Sequence, residues 1–285
     1  MEKGIVTTLK YFSQFEYAPT LAELHMFHPL VASEPEMSKT LASMVKKGTI
    51  LCTVEAKNSR RYTLGGYSIF LNKTVKNVRI SQNKLKRVRP YLRLLQKSSL
   101  FSLVGISGSV AMGNGDESAD IDLFIITKAG RMWTARALAG AAAALMGIRR
   151  GRLATTAPDK ICLNMFMDET DLRVPKHKQT TFIAHEILQM KPVFSKGAIY
   201  DHFLTENAWI YELFPNTKAT SLARQEHALF ASNNAPSLPG LIYSGLESIH
   251  RSWQLALINR HKTTEIVTDT QLWFFPDDFE RKLKG

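Results

Sequence analysis

The apolar positions of the first fifty residues recur at helical spacing. Ile5, Leu9, Phe12 and Phe15 lie three or four apart and predict a helix over residues 4–16. Pro19-Thr20 reads as a turn with Thr20 as N-cap. Glu23, three residues on, completes a capping box for a second helix carrying Leu21, Leu24 and Phe27. Glu34-Pro35-Glu36 opens a third helix, with Leu41, Met44 and Val45 inward and Gly48 as its stop. The period then changes to two. Ile50–Val54 and Arg61–Leu64 alternate on either side of Ala56-Lys57-Asn58-Ser59-Arg60, which predicts a hairpin with a basic turn. After Gly65-Gly66, residues 69–89 read as a basic helix that ends before Pro90. Pro90 suits the first position of another helix, whose apolar face is Tyr91, Leu94 and Leu95.

Beyond Ser98-Ser99 strands and helices alternate. Phe101–Ile106 and Leu123–Thr127 are apolar strands, Met132–Met146 is an Ala-rich helix, Lys160–Met167 is a third strand and Thr180–Met190 a further helix. Helices are expected near residues 198–213 and 238–261, and the apolar run 272–276 is expected to tuck onto the body. The fold class is therefore α+β or α/β, with a small mixed sheet. The chain divides into residues 1–66, a basic helical connector 67–97, a core 98–190 and a helical region 191–285. The first part, three short helices and a hairpin, resembles a winged helix-turn-helix domain. That resemblance implies a wing whose Lys57, Arg60 and Arg61 contact nucleic-acid phosphates. The third helix offers Ser38, Lys39, Thr40 and Ser43 but no Arg, Asn or Gln for bidentate base contacts, and winged helices also dock proteins.

Charge sharpens this picture. The 285 residues carry a formal net charge of +12, and it is unevenly placed. Residues 1–100 hold 17 Lys and Arg against 6 Asp and Glu, whereas residues 101–285 hold 20 against 19. No acidic residue falls between Glu55 and Asp116, which points to nucleic acid or another polyanion as partner. Two cysteines exclude a disulfide framework and a Cys-type zinc site, so a reducing, cytoplasmic setting is expected. The N-terminal residues lack a signal-peptide core. The longest apolar run, near 138–148, is short of the ~20 residues that span a bilayer, so no membrane association is expected.

The candidate chemistry lies between the first two core strands. An apolar strand runs into Gly108-Ser109, whose backbone N–H groups and hydroxyl suit an anion, and residues 110–112 can start a helix behind them. After the ten residues that follow Ser109, Asp120-Ile121-Asp122 opens the next strand. Two carboxylates two apart on a strand share a face, and there they call for a cation. Hard oxygen ligands beside a phosphate cradle suit Mg²⁺. Gly-Ser, a gap of ten and Asp-x-Asp between apolar strands resemble the signature of the DNA polymerase β-like nucleotidyltransferase superfamily, in its minimal-type members. The resemblance implies that Gly108 and Ser109 hold the triphosphate of a nucleoside triphosphate and that Asp120 and Asp122 bind Mg²⁺. It further implies transfer of a nucleoside monophosphate to an acceptor, nucleic acid or protein, with release of pyrophosphate.

Two positions depart from that family's pattern. Met112 stands where many minimal members have Arg. The strand expected to bring a third carboxylate offers Asn164, which can ligate through its carbonyl but cannot act as a base. Asp159 and Asp168 flank that strand as possible substitutes. Lys160 is expected at a strand edge, and His185-Glu186 is given no catalytic role. A rival reading follows from Asn164: a nucleic-acid-binding regulator whose degenerate nucleotidyltransferase domain senses a nucleotide.

Overall fold

The computed structural model describes residues 1–54, 59–151, 156–217, 230, 240–260 and 265–274. Three helices open the chain: α1 (Glu2–Ser13), α2 (Leu21–Met26) and α3 (Glu34–Lys46). The expected capping box forms at α2: Thr20 Oγ1 accepts the Glu23 N–H at 3.3 Å, and Glu23 Oε2 accepts the Thr20 N–H at 2.8 Å. The hairpin strands β1 (Ile50–Val54) and β2 (Arg60–Leu64) pair antiparallel from Ile50↔Leu64 to Val54↔Arg60. Ile5, Leu9, Leu24, Met37, Leu41, Met44, Ile50 and Tyr62 form a core for these five elements.

The helix α4 (Ile69–Gln96) then runs unbroken through Pro90, where the sequence predicts a boundary. Proline inside a helix costs about 3 kcal/mol. Tyr91, Leu92 and Leu95, just beyond it, are all buried in the central core at about 1.5–3 kcal/mol each, which outweighs the interruption.

The central sheet has six strands in the order β6-β3-β4-β5-β8-β7 and is mixed. β3 (Phe101–Ser107) pairs antiparallel with both β4 (Ile121–Thr127) and the edge strand β6 (Lys191–Ser195), whose Pro192 the edge position tolerates. β4 and β5 (Ile161–Asp168) are parallel, joined across one face by α6 (Met132–Leu145). β8 (Gln271–Trp273) closes the other edge of β5 through Met165↔Trp273, and β7 (Ile266–Val267) pairs with β8. The region after residue 190 is thus a correction to the sequence reading. It holds helices α8 (Ile199–Glu206), α9 (Ile210–Leu213) and α10 (Gly240–Asn259), but it also supplies three strands of the sheet. Leu272 and Trp273 are buried because they complete the open edge of β5; Phe275 and Pro276 lie outside the described residues.

α4, α6 and α10 cover one face of the sheet. The other is covered by α7 (Thr181–Gln189), α8 and the N-terminal residues Phe12, Tyr17, Met26 and Phe27. His185 of α7 is stacked between Tyr11 and Phe27, at centroid distances of 3.8 and 4.1 Å. The first 66 residues therefore share a core with the sheet. Among the described residues, no helix is long and apolar enough to cross a membrane.

Candidate functional site

β3 ends at Ser107, and the chain turns at Gly108 with φ +66° into the short helix α5 (Gly108–Met112). The antiparallel register places Ser107 opposite Asp122, so the turn and the start of β4 face each other. A Cβ on Gly108 would collide with Asp122 Oδ2, so glycine is required there by both dihedral and space. Asp120 and Asp122 flank Ile121, whose side chain is buried in the core on the opposite face. The four residues singled out from sequence, Gly108, Ser109, Asp120 and Asp122, line one cavity of about 1520 Å³.

The third strand brings Asn164 to the same cavity, and it adds a residue that sequence reasoning did not choose. Across the parallel pair, Asp122 is in register with Cys162. One ligand atom each from Asp120, Asp122 and Cys162 lie within 4.8 Å of one another. Asn164, two residues further along the strand, lines the same cavity as Asp120 and Asp122. The two flanking carboxylates are committed elsewhere. Asp159 pairs with Lys84 at 2.9 Å and with Arg87, and Asp168 accepts the Gly130 N–H at 2.6 Å and the Thr170 N–H at 3.0 Å. Lys160 donates to the Gly147 carbonyl at 2.7 Å.

Two charged residues that the sequence reading left aside complete the site. Glu186 of α7 accepts the Gly108 N–H on Oε2 at 3.1 Å. Arg150, on the segment leading into β5, donates from Nη1 to Asp120 Oδ2, with the same nitrogen 3.8 Å from Cys162 Sγ. Burial pushes the Asp122 carboxyl up to about 7, helped by the neighbouring charges of Asp120 and Glu186 and opposed by Cys162 and Arg150. Burial likewise pushes Glu186 up to about 7, against the stabilising Gly108 N–H. The Cys162 thiol is driven far up by burial and then by the two aspartates. Carboxylate oxygens at this spacing form a donor set for a hard cation.

A signal for Glu186 exists in the sequence. It is a lone acid in a helix whose Ile183, Ala184, Ile187 and Leu188 are all buried. A charge set among core positions needs a partner, and here the partner is the turn. Arg150 carries no comparable signal.

The expected phosphate-binding cations divide three ways. Arg60 is exposed at the start of β2. Lys57 lies outside the described residues. Arg61 is a correction: it is buried, and its Nη1 donates to Tyr17 Oη at 3.2 Å and to the Ala18 carbonyl at 3.0 Å, so it fastens the hairpin to the α1–α2 turn instead of facing solvent. Part of the basic stretch is also spent internally, since Lys73 pairs with Glu16 and Lys76 with Glu117.

Comparison with known proteins finds no matching family model, no matching curated relative and no matching solved structure.

Proposed function

We propose that the chain is a Mg²⁺-dependent nucleotidyltransferase. The observation that carries this reading is the gathering of Asp120 and Asp122 against the Gly108–Ser109 turn, at the mouth of a cavity large enough for a nucleotide and an acceptor. In this reading Asp120 and Asp122 hold Mg²⁺, which when bound draws charge from the phosphate oxygens. Ser109, exposed beside the turn, offers its hydroxyl to the triphosphate. An acceptor hydroxyl forms a bond to the α-phosphorus, the bond from that phosphorus to the bridging oxygen breaks, pyrophosphate leaves, and the acceptor's proton passes to water. Cys162 and Asn164 add no carboxylate, so the third acid at the site is Glu186. The acceptor is a nucleic acid or a protein. The three helices, the hairpin and the Thr20↔Arg61 bridge that extends it support a winged-helix module for holding that partner.

Calorimetric titration with nucleoside triphosphates, with and without Mg²⁺, tests the reading on wild type and on the Asp120→Asn/Asp122→Asn double variant. Mg²⁺-dependent binding, lost in the double variant, is expected. Failure of the wild type to bind any of the four common triphosphates would sink it. The lack of a carboxylate at Cys162 and Asn164 favours a second reading, a nucleic-acid-binding regulator that senses a nucleotide without turning it over. Mg²⁺-dependent binding with no pyrophosphate released in the presence of cell-extract RNA and protein would select that reading.

A further inference from the structure

Arg150 stands out among the cations around this cavity. Lys84 and Arg87 are held by Asp159, and Lys160 by the Gly147 carbonyl. Arg149 lies against α6 at Gly140, 3.6 Å from where a Cβ there would be, and Arg136 lies over the Phe274 ring at 4.9 Å. Arg150 alone among these is directed at the aspartate pair, where its guanidinium is paired with Asp120, one of the carboxylates assigned above to the metal. Its backbone is fixed: the Arg150 N–H donates to the Ile161 carbonyl at 3.0 Å, and the Ile161 N–H to the Ile148 carbonyl at 2.6 Å. Its side chain is 36% exposed, so it can change partner by rotation without moving the strand. The Gly108–Ser109 turn is followed by Val110, Ala111 and Met112, which carry no positive charge to match a polyphosphate. The carboxylates of Asp122 and Glu186 stand beside it and oppose an incoming anion.

We propose that Arg150 is the polyphosphate-binding cation of this site. It neutralises Asp120 while the aspartates hold no metal, and it passes to the polyphosphate chain of the substrate once a divalent cation has taken them. This rests on the nucleotidyltransferase reading above. Guanidinium suits both tasks, because its planar fork matches carboxylate and phosphate geometry alike. The exchange also couples the two ligands. Metal binding frees the residue that the phosphates need, so anion without cation meets an engaged arginine and two carboxylates.

The two halves of the proposal predict opposite signs for one substitution. Calorimetry on the full chain would measure Mg²⁺ alone, and then inorganic tripolyphosphate in saturating Mg²⁺, for wild type, Arg150→Ala and Arg150→Lys. Arg150→Ala should bind Mg²⁺ about 3–10-fold more tightly, because a competing cation is gone, and tripolyphosphate at least about 10-fold more weakly. Arg150→Lys, which keeps the charge but loses the fork, should fall between. It also guards against misfolding, with a melting curve matching the wild type. Tripolyphosphate binding unchanged in Arg150→Ala would overturn the proposal. So would tightening of both ligands, which would make Arg150 a counter-ion and nothing more. If the wild type binds neither Mg²⁺ nor tripolyphosphate, the nucleotidyltransferase reading itself fails. Wild-type binding that ignores the substitution defeats the arginine alone.

Discussion

Two acidic centres lie at the entrances of neighbouring strands, and they are built on opposite plans. Asp159, in the turn before β5 with φ +60°, meets the Nζ of a buried lysine. Lys84 reaches it from α4 and also donates to the Glu117 and Ala119 carbonyls at 3.0 and 2.8 Å. Burial pushes the Asp159 carboxyl up, but Lys84 and Arg87 prevail and hold it below the usual range. Asp122, at the start of β4, is pushed the other way, first by burial and then by Asp120 and Glu186. The first centre is complete: every charge has its partner, and the loop carrying Asp120 is pinned to α4. The second holds three acids and one arginine. Charge crowding of this kind costs stability and marks a candidate functional site.

The comparison can be broken at its satisfied end first. Lys84→Met leaves the Glu117 and Ala119 carbonyls without their donor, and Asp159 with Arg87 alone. It should cost about 2–4 kcal/mol in a denaturant melt. A loss below about 1 kcal/mol would show that the pinned loop is not held by this lysine. Gly108→Ala comes next. It forces a Cβ into a left-handed backbone position and against the Asp122 carboxylate, at an expected cost of about 2–3 kcal/mol. The same variant should lose Mg²⁺ affinity, read by calorimetry. The smallest effect sharpens the crowded end. The folded-state values of Asp122 and Glu186, raised to about 7 from ordinary values of 3.8 and 4.5, mean that the unfolded chain releases these protons first. Stability of the metal-free protein should therefore fall as pH rises from about 4 to 7. Asp122→Asn should gain about 1–3 kcal/mol over wild type at pH 8, and that gain should shrink toward zero as pH falls to about 4. A gain that does not depend on pH would mean that the Asp122 carboxyl is not raised in the folded protein.

The parts of this arrangement that could be read from sequence are those governed by short-range rules. The turn at Gly108 and the shared face of Asp120 and Asp122 follow from glycine's dihedral freedom and a period of two, and both lie within fifteen residues of one another. The capping box at Thr20 and Glu23 is local in the same way. Glu186 reaches Gly108 across 78 residues of chain, through the docking of α7 on the sheet, and no spacing rule carries that information. That Cys162 stands in register with Asp122, beside the expected Asn164, is not legible either, because the register of the parallel β4–β5 pair and the irregularity between Asp122 and Phe124 are set by tertiary packing. Arg61 looked like a wing cation because alternation placed it on a short edge hairpin. The turn around Tyr17 covers that face and gives it acceptors. Pro90 misled for a related reason: a local breaker yields when the residues after it have a core to fill.

The pairing of β8 with β5 has a consequence for how the chain is made. Met165 finds Trp273 only after about a hundred further residues have been added, a separation that makes this among the slowest contacts to close. Until that segment leaves the ribosome, β5 presents a bare edge of unpaired backbone amides and carbonyls, with Met165, Phe166 and Met167 along it. The nascent protein is therefore exposed to edge-to-edge association throughout the synthesis of its last third, and a chaperone that shields hydrophobic strands would find its work there.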